Sequence, residues 1–97
     1  MKIAEIKPGM DGINIVGRVV QVGQRRIVET RFGKASVATA ILEDESGRVL
    51  LNLWRHQIDL VKEGDVIRVE NAFTRVYKGK IELNVGSRGK IIVLHRG

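Results

Sequence analysis

Short runs in which apolar and polar residues alternate dominate this chain, the pattern of strands buried on one side. The first runs from about Ile13 to Val22 and is interrupted by Gly17, where a glycine marks a bulge or coil. A stretch from Gly23 to Gly33 reads as a loop, and a second strand follows from about Ala35 to Glu43. Asp44-Glu45-Ser46-Gly47 reads as a tight turn, with Asp bonding the backbone and Gly free to take positive φ. The third strand covers Arg48 to Trp54. Arg55 to Val61 breaks the alternation and predicts a helix of about two turns, with Ile58 and Val61 facing inward, ended by Gly64-Asp65. A long, bent fourth strand covers Val66 to Tyr77, and Lys78-Gly79 is a two-residue hairpin loop. A fifth strand runs from Lys80 to Val85; after Gly86-Ser87-Arg88-Gly89, Lys90 to Leu94 extends the sheet.

Three strands, a short helix and two more strands suit an all-β, five-stranded Greek-key barrel, the OB-fold. An SH3-like barrel is the rival, but it does not need a helix between strands three and four. Residues 1–97 form one domain on this reading, and a chain of that length builds one modest core. Val numbers 13 and Ile 11 against 7 Leu, which favours strands over helices.

Side-chain parity sorts the faces. In the third strand Val49, Leu51 and Leu53 point inward, leaving Arg48, Leu50, Asn52 and Trp54 outward. In the fourth, Ala72, Thr74 and Val76 share the inner face, and Phe73, Arg75 and Tyr77 the outer one. Ile67 and Val69 have the parity of Phe73 yet look like core, which a bulge or sharp bend near Asn71-Ala72 reconciles. In the fifth, Ile81, Leu83 and Val85 are core, whereas Lys80, Glu82 and Asn84 are exposed. A register error of one residue would instead bury Trp54, Phe73 and Tyr77.

Charge sharpens the picture. Lys plus Arg is 17 and Asp plus Glu is 11, a net charge of +6, as a polyanion binder needs. Residues 25–34 carry Arg25, Arg26, Arg31 and Lys34 against Glu29; residues 75–90 carry Arg75, Lys78, Lys80, Arg88 and Lys90 against Glu82. A basic face with aromatics fits single-stranded nucleic acid, because bases expose their π-faces only when unpaired. Phe32 stands between Arg31 and Gly33 and has two readings: it folds back to cap a barrel end, or it is a further stacking platform or a wedge between bases.

There is no cysteine, which excludes disulfides and thiolate chemistry, and His56 and His95 fit no metal motif. Glu43-Asp44-Glu45 reads as turn chemistry. His56 has neither a nucleophile nor a paired carboxylate beside it in the sequence, so the expectation is a binding protein without cofactor or metal, and no enzyme. The N-terminus carries no signal-peptide pattern and no apolar run spans a membrane, so an intracellular, soluble protein is expected.

Ile6-Lys7-Pro8-Gly9-Met10, Asp44 to Val49, Leu51 to Trp54, Lys62 to Asp65, Glu70 to Phe73 and Tyr77 to Gly86 together carry a resemblance. In this order and spacing the chain resembles the simple single-OB-fold single-stranded DNA-binding proteins of archaea, of the crenarchaeal type. It also resembles their human relatives that sense single strands in DNA repair. The resemblance implies base stacking on Trp54, Phe73 and Tyr77, basic contacts from Arg26 and Arg31, and an apolar contact from Val28. Crenarchaeal members often have Trp where Phe73 stands and Phe where Tyr77 stands, and carry a flexible tail after the barrel for protein partners. The human relatives have a further aromatic where this chain has Asn84.

The expected site is thus Trp54, Phe73, Tyr77, Arg26, Val28, Arg31, Asn52, Arg75, Lys78 and Arg88. The expected partner is single-stranded DNA, bound with little sequence preference in replication, repair and recombination. The protein is expected to be a monomer in isolation, cytoplasmic and nucleoid-associated, with repair or replication proteins as further partners. The alternatives are an RNA-binding OB domain and a protein-interaction OB subunit.

Overall fold

The computed structural model describes residues 1–97. A single turn of 3-10 helix at Ile3–Glu5 precedes β1 (Ile13–Val22), β2 (Arg26–Thr30), β3 (Gly33–Asp44), β4 (Gly47–Trp54), α1 (Gln57–Leu60), β5 (Val66–Tyr77), β6 (Lys80–Asn84) and β7 (Lys90–His95). The strands pair in the order β1-β3-β4-β6-β5, and β5 returns to β1, so five strands close into a ring. All these pairings are antiparallel except β4 with β6, where Leu51 lies opposite Leu83. The five strands of this ring are the five the alternation predicts; β7 adds to the outer edge of β5, and β2 to β3.

Three features differ from the sequence expectation. The stretch read as a loop from Gly23 to Gly33 is mostly a hairpin, with Arg26 paired to Val37 and Thr30 to Gly33 around the two-residue turn Arg31-Phe32. Its apolar signal is only Ile27-Val28 between charges, and its pairing comes from the long partner β3. The helix is one turn rather than two, because Val61 is already extended. Val61 is nonetheless buried and Ile58 packs on the core, as the spacing requires. Val76, placed on the inner face, is 55% exposed, because β5 runs past the core into its hairpin with β6.

Ala40, Leu42, Leu51, Leu53, Ile67, Val69, Ala72 and Leu83 are fully buried inside the ring. The change of parity in β5 has a visible cause. Ile13 pairs with Ala72 but Ile15 with Val69, so two steps on β1 oppose three on β5. The extra residue is a bulge. Asn71 takes φ of 54°, a left-handed conformation that asparagine tolerates better than most residues. Its N–H donates to Asn14 Oδ1 (3.0 Å) and its Nδ2 to the Arg88 carbonyl (3.2 Å).

The two turns read from sequence form as expected. Asp44 Oδ1 accepts from the N–H of Ser46 (2.7 Å) and of Gly47 (3.2 Å), while its Oδ2 accepts from the Ile3 N–H (2.9 Å) and ties down the N-terminal turn. Lys78 and Gly79 both take positive φ, 50° and 77°, the geometry that suits a two-residue hairpin. Gly17 proves to be a packing point. A methyl group there would lie 2.8 Å from the Glu43 carbonyl oxygen and 2.9 Å from Leu42 Cγ.

Gly17→Ala is therefore expected to cost about 1–3 kcal/mol by overpacking. The melting temperature should fall by roughly 5–20 °C; an unchanged melt contradicts the close approach of β1 and β3.

The buried Asp65 carboxylate accepts from the Lys62 N–H (2.9 Å), from Arg96 Nη1 (3.0 Å) and from the Gly97 N–H (3.4 Å). The Lys62 N–H foremost, with those of Gly97 and the Arg96 charge, holds its pKa below the ordinary aspartate value, against the opposing effect of burial. A depressed folded pKa means that this stabilisation is complete above the unfolded value of about 3.9 and is lost as pH falls through the folded one. Denaturant unfolding across that range should show this loss, and Asp65→Asn should flatten it.

Candidate nucleic-acid interface

The cross-strand register places the site residues on one face of the sheet. Thr39, Asn52, Asn84 and Phe73 lie opposite one another in sequence across β3, β4, β6 and β5. The next row joins Arg26, Val37 and Trp54 across β2, β3 and β4. On the other side Leu50, Glu82 and Arg75 make a third row, and Lys80 and Tyr77 a fourth. Trp54 and Phe73 are thus two strands apart, on the order of 10 Å, and Phe73 and Tyr77 about 13 Å apart along one strand.

The floor of this face is polar and hydrogen-bonded. Asn52 and Asn84, expected to be exposed, are each only 5% accessible. Parity had them on the correct face, but their neighbours cover them. Asn52 Oδ1 accepts from Thr39 Oγ1 (2.8 Å), and Asn52 Nδ2 donates to Glu82 Oε1 (2.9 Å) and Asn84 Oδ1 (3.2 Å). Asn84 Oδ1 also accepts the indole N–H of Trp54 at 2.9 Å, which fixes the plane of that ring. Arg26 Nη1 reaches Thr39 Oγ1 at 3.3 Å, linking the outer hairpin to the same network.

Trp54 is held from behind as well. The Trp54 N–H donates to Gln57 Oε1 (2.9 Å), and Gln57 Nε2 donates to the Val85 carbonyl (3.1 Å). The single helical turn is therefore a clamp between the ends of β4 and β6. Arg55 takes φ of 53° to turn the chain after Trp54, and its N–H is held by the Ser36 carbonyl (2.9 Å).

Trp54 and Phe73 are half-buried, and Tyr77 is 59% exposed. None of the three is core, so the off-by-one register is excluded. The Arg75 guanidinium lies 5.5 Å from the Phe73 ring centroid and Lys78 Nζ 5.4 Å from that of Tyr77, so each ring carries its own cation. Two clefts flank Phe73. One of about 380 Å³ is lined by Thr30, Phe32, Trp54, His56, Phe73 and Asn84. The other, about 420 Å³, is lined by Asp11, Asn71, Phe73, Ser87 and Arg88. Of the expected basic residues, Arg26, Arg75 and Lys78 sit on or beside the aromatic face, Arg31 sits at the β2–β3 tip, and Arg88 lies across Phe73 in the second cleft. Half-buried Val28 shares Arg26's side of β2. A more apolar cleft of about 450 Å³, lined by Ile3, Ile6, Ile41, Val49, Leu50 and Ile81 among others, contains no aromatic side chain.

Phe32 does not cap the ring. It is 85% exposed at the hairpin tip, which overturns the fold-back reading. Thr39, Glu82 and Gln57 were not legible as site residues, and Asn84 stands out in the sequence only as the position where the human relatives carry an aromatic. Polar residues such as these carry no sign of their own until the fold sets them beside an indole.

A closed five-strand ring with a parallel β4–β6 pairing and one aromatic, basic face defines an OB-fold of the kind that binds oligomers across its sheet. The chain matches, over residues 6–93, the model of the single-stranded DNA binding protein Ssb-like OB-fold family, and it belongs to that family. It is 40% identical over 90 residues to the single-stranded DNA binding protein Ssb of Saccharolobus solfataricus, covering 93% of this chain and 61% of that protein. It is 31% identical over 96 residues to replication factor A of Methanothermobacter thermautotrophicus, covering 95% of this chain and 12% of that protein. The chain thus spans about three fifths of the first relative and an eighth of the second. Among solved structures, the OB domain of a Thermoplasma acidophilum protein superposes with a TM-score of 0.86 at 21% identity, covering 100% of this chain and 88% of that one, a likeness of fold. A replication factor A related protein from Methanobacterium thermoautotrophicum gives 0.79 at 28% identity, covering 97% and 89%.

The geometry separates stability from binding at two aromatics. Tyr77→Ala should leave stability within about 0.5 kcal/mol of the parent, as at an exposed site. Phe73→Ala should cost about 1 kcal/mol, roughly half the value of a fully buried phenylalanine. Thermal melts check this, and equal losses would contradict the assigned burial.

Proposed function

We propose that this chain binds single-stranded DNA with little sequence preference, in replication, repair and recombination. Bases stack on Trp54, Phe73 and Tyr77, and Arg26, Arg31, Arg75, Lys78 and Arg88 match the phosphates. Val28 adds an apolar contact and Asn52 supports the floor. The observation that carries this reading is that the three rings rise from one sheet face, clear of the core, with Trp54 braced by Asn84. A duplex hides its π-faces, so such a surface selects unpaired strands. The names of the Saccharolobus and Methanothermobacter relatives agree with this role.

The protein acts by holding the strand, without chemistry on it, works inside the cell, and is a monomer in isolation. Its cytoplasmic site of action is the nucleoid, where replication or repair proteins are further partners. No helix of the chain is long and apolar enough to cross a membrane. The spacing of the rings keeps bases on Phe73 and Tyr77 from being stacked neighbours, so the bound strand is splayed over roughly 4–6 nucleotides.

Stacking and charge predict different responses. Trp54→Ala should weaken binding to a single strand by about 1–3 kcal/mol and leave the fold intact. Three to five phosphate contacts from these cations give a log–log salt slope of about −2 to −3.5. Much binding should survive high salt, because stacking is unscreened. Fluorescence anisotropy of labelled oligonucleotides across a salt series measures both. Complete loss at moderate salt, with no effect of Trp54→Ala, would reduce the protein to an electrostatic polyanion binder.

A further inference from the structure

The β2–β3 hairpin is an arm outside the ring. β2 pairs with β3 alone, so one edge of Arg26–Thr30 is free. The root of the arm is fixed at two points. Arg25 Nη2 donates to Asp59 Oδ1 of α1 at 2.7 Å, and Arg26 Nη1 to Thr39 Oγ1 at 3.3 Å. The tip is closed from inside, where Thr30 Oγ1 accepts the Phe32 N–H (3.1 Å) and donates to the Gly33 carbonyl (2.7 Å). Phe32 stands on that braced tip, 85% exposed.

A lone apolar side chain at a surface is common and needs no function. Two observations set Phe32 apart. The first is its position. It lines the cleft of about 380 Å³ that Trp54 and Phe73 also line. Alternation puts Arg26, Val28 and Thr30 on one side of β2, and Thr30 lines the same cleft, so the side that carries Arg26 and Val28 leads to Phe32. The second is its company. Arg31 and Lys34 flank the ring, and neither forms an ion pair, although Glu29 lies opposite Lys34 in the ladder. An exposed ring between two free cations suits a strand, which offers base faces and phosphates in turn, better than an apolar protein surface.

We infer that Phe32 is a fourth stacking residue, brought by the arm to the base that sits at Trp54, so that one base is held by a ring from the sheet and a ring from the hairpin tip. The inference rests on the single-strand reading and extends the site off the sheet. Arg31 and Lys34 meet the phosphates beside that base. Root and tip of the arm are braced in the free protein, so little freedom is lost when the base enters.

The test measures anisotropy of labelled oligothymidine with three substitutions at Phe32, alongside thermal melts. Phe32→Ala should bind roughly 5- to 150-fold more weakly, with an unchanged melting temperature. Phe32→Trp should bind within twofold of the parent or more tightly, whereas Phe32→Leu, apolar but without a π-face, should lose most of what Phe32→Ala loses. If both rings hold one base, the losses of Phe32→Ala and Trp54→Ala are coupled. The double variant should then fall short of the product of the two single losses by roughly threefold or more. Affinity of Phe32→Ala within twofold of the parent, or parent-like binding by Phe32→Leu, overturns stacking at Phe32. A loss seen only on duplexes with single-stranded ends makes Phe32 a wedge and also overturns it. A lowered melting temperature of Phe32→Ala assigns the ring to packing, and independent losses in the double variant overturn the shared base. Failure of the parent to bind oligothymidine at all would instead overturn the single-strand reading itself.

Discussion

One extra residue in β5 governs the rest of the molecule. Before Asn71 the odd positions Ile67 and Val69 fill the core; after it the even positions Ala72 and Thr74 do, and Phe73, Arg75 and Tyr77 turn outward. A strand with strict alternation would have to bury the two rings or expose the two aliphatic residues. The bulge lets one long strand serve the core first and a ligand surface second. Its cost is a non-glycine residue in the left-handed region, offset by two hydrogen bonds from Asn71 to Asn14 and to Arg88. The same anchor reaches the segment that lines the second cleft, so the bend in β5 and the flank of Phe73 are set together.

What the bulge presents is supported by a polar floor. Asn52 and Asn84 sit side by side across the parallel β4–β6 pair, between Thr39 and Phe73. Apolar residues of the same size would bury more favourably, but they offer nothing to orient the indole N–H. The hydrogen bond from Trp54 to Asn84, with Gln57 holding the backbone, fixes the ring before any ligand arrives. A platform ordered in advance loses less freedom when a base stacks on it. Stability and recognition are therefore divided by face: branched aliphatics inside the ring, and amides, rings and cations outside it.

The alternation was enough to place the five ring strands, the outward aromatics and the need for a bulge near Asn71-Ala72, because each follows from local parity. It was not enough for the β2–β3 hairpin. Ile27 and Val28 are a weak signal alone, and their strand forms because β3 extends back to Gly33 and offers an edge. Nor could it show that Asn52 and Asn84 are covered, since that depends on a parallel pairing between strands 30 residues apart. Phe32 failed the general preference for burying phenylalanine for a related reason: a braced two-residue turn leaves the ring nothing to fold onto.

The central claim is that an ordered indole on an exposed sheet face is a platform for unpaired bases. Trp54 is the only tryptophan, so its emission reports on that platform alone. Titration of the protein with oligothymidine should quench this emission and saturate, whereas a duplex of the same length at the same salt should produce little change. Equal quenching by both, or binding of the single strand with no change in Trp54 emission, would contradict the account.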